Sequence, residues 1–166
     1  MIRNMEVLSW DEYFISVAFL SSLRSIDSQH KGGACIVNKE NRIVGIGYCG
    51  FPRGMDCLPQ GHDRELFICH AVMNAILNKN QYDVRGCRIY TTRFPCSDCA
   101  KLIIQAGLSR VVYNSGLPTD ATQILFTLAG VSLLNYIPRR QSSLRVGIKN
   151  VDDESYSLTK ISQSHE

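Results

Sequence analysis

The stretch Phe94-Pro95-Cys96-Ser97-Asp98-Cys99-Ala100-Lys101-Leu102-Ile103-Ile104-Gln105-Ala106-Gly107 decides how this chain folds. Residues 96–106 read as a helix, and Gly107 stops it, because glycine enters the left-handed conformation at a helix C-terminus without steric cost. Residues 87–92 before it and Val111-Val112-Tyr113 after it read as strands. A strand, a helix and a second strand in that order make a crossover between parallel strands, right-handed in nearly every known case. The alternation continues with a helix over 120–129, ended by Gly130, and a strand over 131–137.

Toward the N-terminus the pattern changes. Residues 10–24 place Tyr13, Phe14, Val17, Ala18, Leu20 and Leu23 near helical spacing behind Ser9, a suitable N-cap. Ala34-Cys35-Ile36-Val37 is a buried strand, 38–41 its turn and 43–48 the paired strand. A Gly- and Pro-rich loop occupies 50–61, and His70 opens a helical run to Leu77. Residues 145–151 are expected to add an edge strand, and 152–166 to form a polar, flexible tail. The expectation is an α/β fold with one domain over 1–151: a mixed five-stranded sheet, its first pair antiparallel and later strands parallel, with helices on both faces.

The composition narrows the class. A chain of 166 residues, 45% hydrophobic and 20% charged, suits an ordinary globular domain. The net charge of +3, from 18 basic and 15 acidic residues, is too mild for a nucleic-acid footprint, and Arg139, Arg140, Arg145 and Lys149 read as a solvated face. No apolar run approaches the roughly 18 residues of a membrane span, and the N-terminus lacks a secretory leader pattern. Seven cysteines, an odd number in a chain of this size, fit metal binding and buried thiols better than a disulfide framework. A cytoplasmic or nuclear location is the expectation.

Cys96 and Cys99 lie on the first turn of their helix, close enough to share one metal ion, and the positive helix end favours their thiolates. Alone, a CxxC also suits a redox pair or two buried thiols, and His70 an ordinary core histidine. A histidine at another helix start, with Pro95 before the first cysteine, shifts the balance to a metal site with three protein ligands: His70, Cys96 and Cys99. Structural zinc takes four protein ligands, whereas catalytic zinc keeps a position for water. The pattern His-x-Glu followed by Pro-Cys-x-x-Cys marks the zinc nucleobase deaminases.

The chain resembles the deoxycytidylate (dCMP) deaminases of the cytidine deaminase superfamily. The likeness is carried by residues 13–24, Gly33-Ala34-Cys35-Ile36-Val37-Asn38, Ile43-Val44-Gly45-Ile46-Gly47-Tyr48, Cys69-His70-Ala71, Asn74-Ala75-Ile76, Phe94-Pro95-Cys96 and 99–107. Ala129-Gly130-Val131 and Ile137-Pro138 extend it. The resemblance implies a three-layer α/β/α sandwich, one Zn2+ per chain and hydrolysis of dCMP to dUMP, which supplies dTMP synthesis. It further implies an oligomer, a dimer or hexamer, regulated by deoxynucleoside triphosphates. Cys49, Ala71 and Arg53 stand at positions it places beside substrate.

The pattern breaks at the residue that moves protons. Zinc acidifies water, but a proton must still reach the ring nitrogen and the leaving amine. In the family a glutamate two residues after the ligand histidine carries it; here that position is Val72. Losing a positioned acid/base costs roughly 10²–10⁴ in rate. Asp98 should point away from the metal, and Asp63 and Glu65 stand in the preceding loop. The family's Tyr-Asn-Gly, whose Asn meets the sugar hydroxyl, is Tyr48-Cys49-Gly50 here.

Two losses fit a chain freed from catalytic selection, a pseudoenzyme that binds a deoxycytidine nucleotide, an active paralogue in a mixed oligomer, or another protein. The alternative is a true dCMP deaminase whose glutamate was replaced by design. In the loop, Arg53 and Arg64 can meet a nucleotide phosphate or stay solvated. Cys57 and His62 are too few for a second zinc, and Cys35, Cys69 and Cys87 read as buried thiols.

Overall fold

The computed structural model describes residues 7–25, 31–55, 57, 63–137, 143–144 and 160–161. Helix α1 (Trp10–Ser22) starts where the Ser9 side chain accepts a hydrogen bond from the Glu12 amide (3.2 Å). Strands β1 (Gly33–Val37) and β2 (Ile43–Tyr48) pair antiparallel around a turn in which Asn41 takes a positive φ of 60°. A short 3-10 turn, Arg64–Phe67, precedes α2 (Ala71–Leu77). The alternation expected from the sequence follows: β3 (Arg88–Arg93), α3 (Ser97–Gln105), β4 (Arg110–Ser115), α4 (Asp120–Leu128) and β5 (Ser132–Asn135).

The five strands lie in the order β2-β1-β3-β4-β5. β1 is antiparallel to both β2 and β3, whereas β3, β4 and β5 run parallel. The mixed five-stranded α/β sheet expected from the sequence is what forms. Alternating side chains feed two cores. Cys35, Val37, Tyr90 and Val112 pack under α1 with Phe14, Ile15 and Ala18. Ala34, Ile36, Ile89 and Val111 point to the other face, where α2, α3 and α4 contribute Val72, Ala75, Ala100, Ile103 and Phe126. The helices thus cover both faces.

Element ends differ from the sequence expectations by at most two residues, as they do where terminal hydrogen bonds fray. β3 gains Arg93 and loses Cys87, and β5 stops at Asn135. These elements belong to a unit spanning residues 1–136. In a second unit, residues 137–166, Ser143–Leu144 pairs antiparallel with Lys160–Ile161. The expected edge strand over 145–151, the basic residues Arg139, Arg140, Arg145 and Lys149, and most of the expected tail lie outside the described residues. Among the described residues no helix is long and apolar enough to cross a membrane.

Candidate metal centre

Each sulfur is placed by the end of β3. The Phe94 amide bonds the Ser115 carbonyl (2.7 Å), continuing the β3–β4 ladder past the strand, and the Phe94 ring packs edge-on against Tyr113 at 4.8 Å. Buried Pro95 then delivers Cys96 as the N-cap of α3, its carbonyl accepting from the Ala100 amide (2.8 Å). Cys99, buried, follows one turn later on the same side of the helix.

His70 is the N-cap residue of α2, and its side chain takes no part in capping, so the ring is free to turn toward the sulfurs. The segment before it is tied to the end of β2. Gly50 and Cys69 exchange backbone hydrogen bonds of 3.2 and 2.8 Å, and the Asn74 side-chain Nδ2 donates to the Tyr48 carbonyl (2.7 Å) and, at 3.4 Å, to that of Cys69. Asn74 therefore clamps both sides of the turn that carries His70. No functional reading of the sequence pointed to it, because an Asn within a helix gives no sign of which carbonyls it meets. Asn74→Ala should weaken zinc binding about tenfold, the lower end of what supporting residues contribute, measured by competition with a chelator.

The three donors converge. His70 Nδ1 lies 3.3 Å from Cys96 Sγ and 3.4 Å from Cys99 Sγ, and all three atoms fall within 4.8 Å of one another. A tetrahedral zinc with nitrogen at about 2.0–2.1 Å and sulfur at about 2.3 Å needs nitrogen and sulfur about 3.5 Å apart. The cluster matches that separation. Bonds from Cys99 and His70 pull the Cys96 thiol down to about 3, while the bond to Cys96 and burial push Cys99 up. The bond to Cys96 likewise raises His70, against the opposing effect of burial. Two sulfurs and an imidazole nitrogen form a donor set that a divalent cation satisfies. With His70 and Cys96 exposed, one side of the cluster stays open to solvent.

Val72 is one turn-step away and only 5% exposed, in the same apolar cluster as Cys49, Ala71 and Cys99. The position where the resemblance expects a carboxyl thus carries a buried hydrocarbon side chain. Cys49 is also buried, and its carbonyl accepts a hydrogen bond from the Ser25 hydroxyl (3.0 Å). Asp98 is exposed and pairs with Lys101 at 2.9 Å. Asp63 caps the 3-10 turn through the Glu65 amide (3.1 Å), and Glu65 is exposed.

Among the remaining sequence candidates, Arg53 is exposed in a turn closed by the Met55 amide on the Pro52 carbonyl (3.1 Å). Cys57 is exposed, and His62 and the Arg64 side chain lie outside the described residues. Cys35 and Cys87 are buried thiols, Cys35 pushed up to about 12 by burial. Cys69 departs from that expectation and is only half-buried, since it sits in the isolated bridge to Gly50 rather than inside the sheet.

Residues 8–115 match the family model of the cytidine and deoxycytidylate deaminase zinc-binding region. The chain belongs to this deaminase family. Human deoxycytidylate deaminase is 48% identical over 151 residues, covering 82% of this chain and 85% of that protein. The probable deoxycytidylate deaminase of Drosophila melanogaster is 40% identical, covering 84% and 78% respectively. Among solved structures, apo dCMP deaminase from the cyanophage S-TIM5 superposes with a TM-score of 0.66 at 30% identity, covering 76% of this chain and 96% of that one. The same enzyme in complex with dCMP and dUMP gives 0.67 at 28% identity. The deaminase fold and a His/Cys/Cys group suited to zinc are therefore both present. Val72 and Cys49 stand where the resemblance expects a glutamate and an asparagine.

Proposed function

We propose that this deaminase-family chain binds one zinc ion through His70, Cys96 and Cys99 but does not turn over dCMP at an enzyme's rate, and that it acts by binding. The observation that carries this reading is Val72, a buried hydrocarbon side chain two residues after His70 and in the same apolar cluster as Cys99. Zinc, when bound by three protein ligands, makes a water in its open position acidic. The chain's own residues must then move that proton to the pyrimidine ring and on to the departing amine. Valine holds no proton and accepts none. Asp98 is engaged with Lys101, and no described carboxylate joins the donor cluster.

The retained fold and the dCMP and dUMP held by the cyanophage relative support a deoxycytidine nucleotide as ligand. An active paralogue in a mixed oligomer is the accompanying protein partner of this reading. The test is a turnover assay on purified, zinc-loaded chain alongside a zinc count and nucleotide binding by calorimetry. Stoichiometric zinc with dCMP turnover about 10²–10⁴ below an active relative is expected. Turnover at the relative's rate would defeat the proposal.

A further inference from the structure

A second site lies at the opposite end of the sheet from the metal ligands. Cys96 and Cys99 follow the C-terminal end of β3, whereas a hollow of about 460 Å³ opens at the N-terminal ends of β3, β4 and β5. The length of β3 alone separates the two by about 16 Å. Lys39, Gly86, Arg88, Ser109, Arg110 and Ser132 line the hollow, whose volume falls within the roughly 300–1,000 Å³ of small-molecule sites.

Its charge is one-sided. Arg88 and Arg110 are register partners on adjacent parallel strands, so their side chains leave the same face about 4.8 Å apart. Like charges at directly paired positions repel, and a sheet gains nothing from them unless an anion sits between. Among the described residues, none of Arg88, Arg110 and Lys39 has a carboxylate within ion-pairing distance. Arg88 donates to the neutral side-chain carbonyl of Asn41, and the acid at the start of α1, Asp11, is taken up by the Tyr90 hydroxyl at 2.7 Å. The floor is kept open by Gly86, which has a φ of 75°. A Cβ there would meet the Lys39 stem at 3.2 Å and narrow the space between that lysine and the arginines. At the rim the Ser109 hydroxyl donates to the Gly86 and Cys87 carbonyls (3.0 and 3.2 Å) and the Ser132 hydroxyl to the Ser109 carbonyl (3.5 Å), so the anion's grip falls to the three cations.

We propose that this hollow binds a phosphoryl oxyanion, with Arg88 and Arg110 gripping it from the sheet and Lys39 closing over it. Two guanidiniums and an ammonium around a glycine floor suit a multivalent anion of tetrahedral shape and offer nothing to a cation or an apolar ligand. The position separates this site from the zinc cluster, so its occupancy is independent of deamination.

The experiment follows the unfolding midpoint of the zinc-loaded chain as inorganic phosphate replaces chloride at constant ionic strength. A saturable rise of about 3–6 °C at ten times the dissociation constant is expected. Arg110→Gln should weaken phosphate binding at least tenfold and, in chloride alone, melt no lower than the unaltered chain because the repulsion is relieved. Lys39→Gln, a change on the surface that the fold tolerates, should also weaken binding. A nucleoside monophosphate forms the second arm. Affinity equal to phosphate identifies a free oxyanion, and tenfold tighter binding identifies a nucleotide phosphate. A rise that never saturates, or one undiminished in both variants, overturns the proposal.

Discussion

Zinc-loaded protein carrying Val72→Glu together with Cys49→Asn is expected to deaminate dCMP about 10²–10⁴ times faster than the unaltered chain. The range is that of a positioned acid/base, about 3–5 kcal/mol of barrier. Position 72 is well suited to such a group. It is 5% exposed and faces the cluster holding Cys99, so a carboxyl there would lose solvent and have its affinity for protons raised, as a shuttle requires. The substitution has a structural cost. Glutamate is larger than valine and polar, and overpacking of this kind costs about 1–3 kcal/mol, so the midpoint of unfolding should fall while activity rises. Such opposite movement separates a restored catalytic group from a general gain in folded protein.

Val72→Glu alone should fall short of the double variant. Cys49 cannot replace the two donors and the acceptor of an asparagine, and one missing hydrogen bond to a substrate hydroxyl is worth about tenfold. Full activity from the single change would instead mark a working dCMP deaminase disabled at one residue, and would sink the binding role. Measuring kcat and KM for both variants decides the matter. A deficit of the single variant confined to KM assigns position 49 to substrate binding, and a deficit in kcat assigns it to the chemistry.

Much of this architecture was readable from residue order, for a physical reason. Pro95, Cys96, Cys99 and Gly107 each act locally: one breaks the strand, two suit the first turn of a helix, and one ends it. Local rules need no knowledge of the rest of the chain, so β3, α3 and β4 were placed to within a few residues, with the two sulfurs correctly on one side. The support for His70 was not readable in that way. It depends on Asn74 reaching the Tyr48 carbonyl, 26 residues away, and on the bridge between Gly50 and Cys69. Such contacts exist only once β2 and α2 have met. The hollow near Arg88 and Arg110 was hidden for the same reason, since 22 positions separate two arginines that register brings side by side. Cys69 is more exposed than its apolar neighbours in sequence suggest, because they are not its neighbours in space.

The approach of α2 to β2 gives the other large effect. Gly47→Ala is expected to lower the unfolding midpoint by roughly 8–16 °C, for a cost of about 4 kcal/mol, and to reduce zinc content well below one per chain. A Cβ at Gly47 would stand 2.2 Å from both the Ala71 carbonyl oxygen and the Ala75 amide nitrogen, and these are backbone atoms of one helix. Gly45 faces the same helix, with a Cβ there 2.6 Å from the Ala75 carbonyl oxygen. Two glycines in alternation on an edge strand thus set how closely α2 can lie, and no side-chain rotation relieves either contact. The helix must move as a body, carrying its N-cap His70 away from Cys96 and Cys99. Gly50→Ala is the matched control, for its Cβ would meet only the Tyr48 ring at 3.8 Å, an ordinary contact, so its midpoint and zinc content should stay near those of the unaltered chain. Thermal melts and metal analysis on the two variants test the idea directly. If Gly47→Ala retains a full zinc complement and an unchanged midpoint, the close packing of α2 is not what positions the ligand histidine.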